Sequence, residues 1–300
     1  TAIFSAQGNF KSINFSLAIV HLIFITALFI LFCLNVKQAL LLHSYFIFYI
    51  IIAMVIWLQL FFNRQSFPSI IDNNLHIKQL YQYSSITLGA NILFFFVYKI
   101  DYWLVEANCS AYLLGNYIQA SKMGQLLLII PQILASAIFP KTAKNNDATV
   151  EINHILLVFF RVFAQCFLLL LLVMLVIGKQ MFITVFGNSF SEMHLPFLIL
   201  LPGIFCLSMV QLISAYMLGK GETTIEITGA ALALLIALPM CYWLIPTVGI
   251  IGAAIGSVLG YLTNMLYLLY KLRQFQFFYL KELFVWRRTD WLIISKLFRK

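Results

Sequence analysis

The chain is built from apolar runs of about 20 residues, the length that crosses a bilayer, and they follow one another from Phe15 to Tyr270. With 63% hydrophobic and only 10% charged residues, and a mean hydropathy of +0.97, it falls far from the roughly 25% charge of a soluble domain. The runs do not alternate polar with apolar residues, which sets aside a membrane β-barrel. The expected fold class is all-α: a polytopic transmembrane helix bundle.

About eight spans are predicted, at 13–34, 40–62, 84–104, 111–139, 153–178, 195–218, 226–245 and 248–270. Pro131, Pro202 and Pro239 fall inside three of them. Proline is tolerated in membranes and often marks a bend or a broken helix. The longest internal polar stretch, 63–83, carries Arg64, Pro68, Asp72 and Lys78 and divides two spans from six. It reads as a linker, and its IIDNNLHIKQLYQY segment suits a short helix on the membrane surface. Four regions are thus expected: 1–62, the linker 63–83, a six-helix half at 84–272 and a basic tail at 273–300.

The net charge of +9 is explained by loops and tail rather than by nucleic acid. Lys11, Arg64, Lys78, Lys141, Lys144, Lys220 and the tail cations fall on one side, and the positive-inside rule makes that side cytoplasmic, C-terminus included. The tail mixes Arg287, Arg288, Lys296 and Arg299 with Phe284, Trp286 and Trp291, a pattern for an interfacial helix on anionic lipid. No signal peptide is recognisable at Thr1, and TAIFSAQGNFK reads as the end of an apolar helix, so the chain is expected to start inside a larger protein.

Charges within apolar runs are functional suspects by default. Lys122 lies about eleven residues into its span, roughly 17 Å from the span's outer end at a rise of 1.5 Å per residue. Too deep to snorkel easily, it is expected to face protein or water inside the six-helix half, with purely structural pairing as the alternative. Gln119, Lys122 and Gln125 recur every three residues and are expected to share a helix face lining a wet cavity. Asn91 adds polarity in the preceding span. Arg161 is about eight residues into its own span, within reach of the interface. Asp101 and Lys99 lie near a span end, where solvation at the interface competes with a role in a site. The candidate substrate-binding residues are therefore Lys122, Arg161, Gln119, Gln125, Asn91 and Asp101.

Gly252, Gly256 and Gly260 form a repeated GxxxG, which allows close helix approach, either between chains or, more simply, within one. The cysteines and histidines show no metal spacing, and no nucleotide-binding or catalytic motif is present. No cofactor and no metal are expected.

Three stretches carry a resemblance. KIDYWLV is followed by YLLGNYIQASKMGQLLLIIPQILASAIFPK; FGNSF is followed by LPFLILLPGIFCLSMVQLISAYMLGKGE; and LIPTVGIIGAAIGSVLGYL closes the series. In order and spacing the chain resembles the polysaccharide flippases, the O-antigen and oligosaccharide exporters of the Wzx type, within the superfamily of the multidrug MATE exporters and lipid II flippases. The resemblance implies two six-helix halves around a central cavity, of which this chain holds one and two helices of the other. It implies a transporter, not an enzyme, of the bacterial inner membrane, moving an undecaprenyl-diphosphate-linked oligosaccharide from the inner to the outer leaflet by alternating access. Lys122 falls where lipid II flippases place a basic residue that holds the diphosphate, while Gln125 stands where they have an acidic one. Membrane lipids and other polysaccharide assembly proteins are the further partners implied. Two other readings stand beside this one. A multidrug or cation antiporter would favour acidic cavity residues, and a glycan polymerase or acyltransferase would want a larger outer loop.

Overall fold

The computed structural model describes residues 10–33, 47–55, 57–58, 74–144 and 149–275. Among these residues the protein is helical, with no strand. Helix α1 spans Phe10–Cys33. The others are α2 (Asn74–Asn108), α3 (Ala111–Leu126), α4 (Ile129–Lys144), α5 (Thr149–Phe186), a 3-10 turn at Asn188–Met193, α6 (His194–Gly219), α7 (Thr223–Val248) and α8 (Ile250–Phe275). Five of the described helices are long and apolar enough to cross a membrane, or six if the bent pair α3–α4 counts as one. The protein is a multi-pass membrane protein.

The chain divides into two compact units, Thr1–Asn74 and Leu75–Lys300. In the first, Phe48 is buried and stacks on Phe24 at 4.0 Å, with His21 edge-on at 5.0 Å. The first two expected spans fall only partly on described residues. The linker residues 63–73 and the tail beyond Phe275 lie outside them altogether.

In the second unit each of the six expected spans has a helical counterpart. The expected separate surface helix near residue 75 is instead the start of α2, which runs unbroken for 35 residues. No proline or glycine interrupts the sequence from Asn74 to Leu88, so nothing ends the helix there. Pro202 and Pro239 sit inside continuous helices. The break is elsewhere: α3 and α4 meet at 43°, where Leu127 and Leu128 donate to the carbonyls three residues back. Pro131 comes just after it, in the first turn of α4, where a helix has no partner for its N–H anyway.

Helix α6 is the axis of this unit. It carries eighteen buried residues, Pro196 through Met217, and packs against α3, α4, α5, α7 and α8. A helix apolar all round belongs in such a place. Its approach is set up by Gly187, which ends α5 at φ 89°, a backbone geometry that favours glycine. The GxxxG series is spent within the chain. A Cβ on Gly256 would lie 2.4 Å from Cys241 Sγ, and one on Gly252 2.4 Å from the Leu244 carbonyl oxygen, so the three glycines seat α8 directly on the backbone of α7.

Candidate functional site

Two polar features lie side by side on α2. The first is sealed. Ala90, Val97, Asp101 and Val105 recur at helical spacing and are each 1% exposed or less, so Asp101 belongs to the buried stripe of the helix. Its carboxylate accepts from the Tyr117 hydroxyl of α3 at 2.5 Å, the Ser257 hydroxyl of α8 at 2.9 Å and the Tyr102 backbone N–H at 2.9 Å. Tyr117 is itself buried and meets Tyr102 edge-on at 5.8 Å. Lys99 places its ammonium 4.4 Å from the centre of the Tyr102 ring, a cation–π contact. Three helices are thus tied through one side chain. Of the two readings open for Asp101 near the span end, interfacial solvation and a role in a site, solvation does not occur: the carboxylate is buried. Depth along the helix suggested water, but position around the helix decides, and Asp101 turns inward.

The second feature is open. A cleft of about 610 Å³ runs between α2, α3, α4, α6 and α7. Asn91, Phe94, Tyr98 and Lys99 line it from α2, Gln125 from α3, Gln132 from α4, Gln211 and Ser214 from α6, and Glu226 from α7. On α2, Asn91, Phe94 and Tyr98 are spaced three and four residues apart, hence on one face, with Lys99 at its edge. Gln125 donates to Ser121 Oγ at 3.2 Å, and the Asn91 amide donates to the Thr87 carbonyl at 3.0 Å. Three polar groups of the cleft wall have buried atoms without a protein partner: Gln211 Oε1, Ser214 Oγ and Glu226 Oε2.

The cleft has two distinct ends. Ile227 Cδ1 approaches to 3.2 Å the place where a Cβ on Gly89 would sit, so Glu226 belongs to the end near Asn91. Lys99 lies eight residues further along α2, about 12 Å away at 1.5 Å per residue. Gln211 meets Tyr98, nearer the lysine end. Among the described residues, the two charged residues of the lining, Lys99 and Glu226, therefore stand at opposite ends.

Of the six residues expected from sequence, Asn91 and Gln125 line the cleft and Asp101 lies sealed beside it. Gln119 is half-buried on α3 and Arg161 is buried on α5 at 4% exposure; neither lines the cleft. Lys122 departs most from expectation. It is exposed and does not face the interior of the unit. The buried stripe of α3 is Asn116, Tyr117, Ala120, Ser121 and Gly124. Lys122 is two residues from both Ala120 and Gly124, which puts it on the far side of a helix with 3.6 residues per turn. The three-residue repeat of Gln119, Lys122 and Gln125 drifts around the helix, so the shared face is only partial.

Sequence reasoning missed Tyr117, Gln132, Gln211, Ser257 and Glu226. Gln132, Gln211 and Glu226 carry the same signal that singled out Lys122, a polar side chain in or at the mouth of an apolar run. Tyr117 and Ser257 carry no such signal, because hydroxyls are common in membrane helices.

No curated protein and no solved structure matches the chain. A family model described as polysaccharide biosynthesis protein matches residues 1–195. The match takes in α2 to α5, and hence the Asp101–Tyr117 pair and the Asn91, Lys99, Gln125 and Gln132 wall of the cleft, and it reaches the start of α6. It covers 195 of the 300 residues, and by that measure the chain belongs to the polysaccharide biosynthesis protein family.

Proposed function

We propose that the protein is a flippase of the bacterial inner membrane that carries a polyprenyl-diphosphate-linked oligosaccharide between leaflets, with its C-terminus in the cytoplasm. The observation that carries this reading is the cleft: amide side chains, aromatic rings and a lysine gathered in the wall of a membrane helix bundle. Amides both donate to and accept from sugar hydroxyls, and the ring faces suit the apolar faces of a pyranose. Lys99 supplies the charge that a diphosphate needs. The lipid tail would remain among acyl chains while the head group crosses, and no covalent bond changes. Rocking of helix bundles about a site near mid-membrane is the mechanism that such architectures use.

The test is deletion in the source cell. Loss of a flippase removes surface polysaccharide while the lipid-linked repeat unit accumulates out of reach of outer-face enzymes. A repeat unit that still reaches the outer face singly, unpolymerised, would make the protein a polymerase instead. Normal surface polysaccharide would sink both readings. Within the site, Lys99→Gln should lower export more than Lys122→Gln, since Lys99 lines the cleft and Lys122 does not.

Glu226 favours one second reading, a cation antiporter, because an acidic group in the cleft suits a cationic cargo. Saturable binding of tetraphenylphosphonium by the purified protein, lost in Glu226→Gln, would support it over the flippase.

A further inference from the structure

We propose that Glu226 and Gln211 read the saccharide itself, each accepting a hydrogen bond from a hydroxyl or amino group of the head group, which lies along the cleft with its anionic end at Lys99. This rests on the flippase reading and adds the orientation of the substrate and the residues that select it. Glu226 Oε2 and Gln211 Oε1 are buried acceptors in the wall of an open cleft, and neither has a protein partner. Buried acceptors are rarely left unmet, and such exceptions mark strain, water or an absent ligand. Gln211 lies beside Tyr98 in the lining, and among the described residues its Oε1 has no hydrogen-bond partner. While ionised, Glu226 accepts and cannot donate, and the group it meets then brings the proton.

Position along the cleft gives the order of contacts. Glu226 belongs with Asn91 at one end and Lys99 stands about 12 Å along α2 at the other, by helix rise. Gln211, beside Tyr98, falls between them, closer to Lys99. A diphosphate at Lys99 takes up part of that distance, and the saccharide joined to it covers the rest as far as Glu226. The polarity follows from charge: a diphosphate is drawn to Lys99, and an ionised Glu226 repels it, so the sugar-bearing end extends toward α7. A head group with an amino sugar in its outer ring would gain most, through an ammonium on Glu226.

The test uses the purified protein in lipid nanodiscs and two ligands: the lipid-linked saccharide fraction extracted from the source cells, and undecaprenyl diphosphate carrying no sugar. Glu226→Leu should weaken binding of the sugar-bearing lipid about tenfold, the loss of one charge-assisted hydrogen bond. It should leave the sugarless lipid unchanged. Glu226→Gln, which keeps an acceptor, should fall between, and Gln211→Leu should repeat the pattern more weakly. Lys99→Gln should weaken both lipids alike. Unchanged binding of the sugar-bearing lipid by Glu226→Leu and Glu226→Gln overturns the proposal and leaves the flippase reading standing. So does an equal loss for both lipids. If the unmutated protein binds neither lipid, the flippase reading itself fails and the saccharide assignment falls with it.

Discussion

The Asp101 network and the cleft share one helix, yet they treat buried polar atoms in opposite ways. Around Asp101 the acceptors are met by donors from α2, α3 and α8, and the carboxylate is 1% exposed. In the cleft wall, Gln211 Oε1, Ser214 Oγ and Glu226 Oε2 have none. A satisfied network in a low-dielectric interior holds its helices in one arrangement, because breaking any link orphans the others. Unsatisfied groups do the reverse: they lower stability until a ligand meets them. Unpartnered buried atoms also occur outside the cleft, at Asn116 and Asn264, so the contrast is drawn between the Asp101 carboxylate and the cleft wall alone.

That separation gives measurements with opposite signs. The largest effect is expected from Asp101→Ala. It removes the shared acceptor of the buried Tyr117 and Ser257 hydroxyls and leaves them only their long mutual contact of 3.4 Å, at about 1–3 kcal/mol for each group no longer met, and should lower the unfolding temperature in detergent more than any other single change here. Asp101→Asn should recover much of the loss, since both hydroxyls can rotate to accept from its amide. Equal unfolding temperatures for Asp101→Ala and the unmutated protein would break the comparison at its root.

Next in size is Gly256→Val. A Cβ there would meet Cys241 Sγ at 2.4 Å and Cys241 N at 2.9 Å. The second of these is backbone and cannot swing away. Overpacking of this kind costs about 1–3 kcal/mol, and because Ser257 is the next residue, the shift should be felt in the Asp101 network. Combining Gly256→Val with Asp101→Ala should therefore destabilise less than the sum of the two, as for residues that share one network. Full additivity would show that the α7–α8 seam and the carboxylate hold the fold independently.

In the cleft the sign reverses. Glu226→Met removes a buried acceptor that has no partner, and such a replacement by an apolar group of similar shape is nearly neutral or stabilising. The unfolding temperature should hold or rise by the equivalent of about 1 kcal/mol, while surface polysaccharide falls. A clear drop in unfolding temperature would make Glu226 part of the scaffold.

How far these two regions could be read from the sequence depends on which coordinate of the helix is in question. Position along the membrane normal was legible. The expected span 226–245 lies within Thr223–Val248, and 195–218 within His194–Gly219, because length and hydropathy alone set where a helix crosses. Position around the helix was not legible. Asp101 was placed by its nearness to a span end, yet Ala90, Val97 and Val105 share its stripe and carry it inward. In a membrane helix both faces are apolar, so the periodicity that orients a soluble helix fades. Glu226 was missed for the complementary reason: it is the first residue of its expected span, where a charge raises no suspicion, whereas the fold places it in the cleft lining. Of the proposed site, Asn91 and Gln125 were found by polarity in an apolar run, and the same rule would have reached Gln132 and Gln211. The GxxxG series was read as packing within the chain, which is what the contacts of Gly252 and Gly256 with α7 show.

The smallest effect on stability is expected where the sequence pointed most firmly. Lys122 is exposed on α3, on the side away from the stripe formed by Tyr117, Ala120, Ser121 and Gly124. Neither region of the comparison contains it: it does not touch the cleft lining and none of the Asp101 hydrogen bonds involves it. Lys122→Ala should therefore change the unfolding free energy in detergent by no more than about 0.5 kcal/mol, the usual range for a surface position. Export is the sharper readout, because a lysine in the middle of an apolar span costs roughly 2.5–3.5 kcal/mol to insert and the fold gains nothing visible in return. If Lys122→Ala lowers export at unchanged stability while Lys122→Arg retains part of it, the charge acts on a ligand or surface outside the cleft, and the substrate path extends past α3. Arginine keeps the charge but alters its geometry, so partial retention is the signature of a charge that is used. If Lys122→Ala exports normally, the cation that matters is Lys99, and the path is confined to the cleft. A large loss of stability would contradict the exposed position, and with it the register of α3 on which both regions depend.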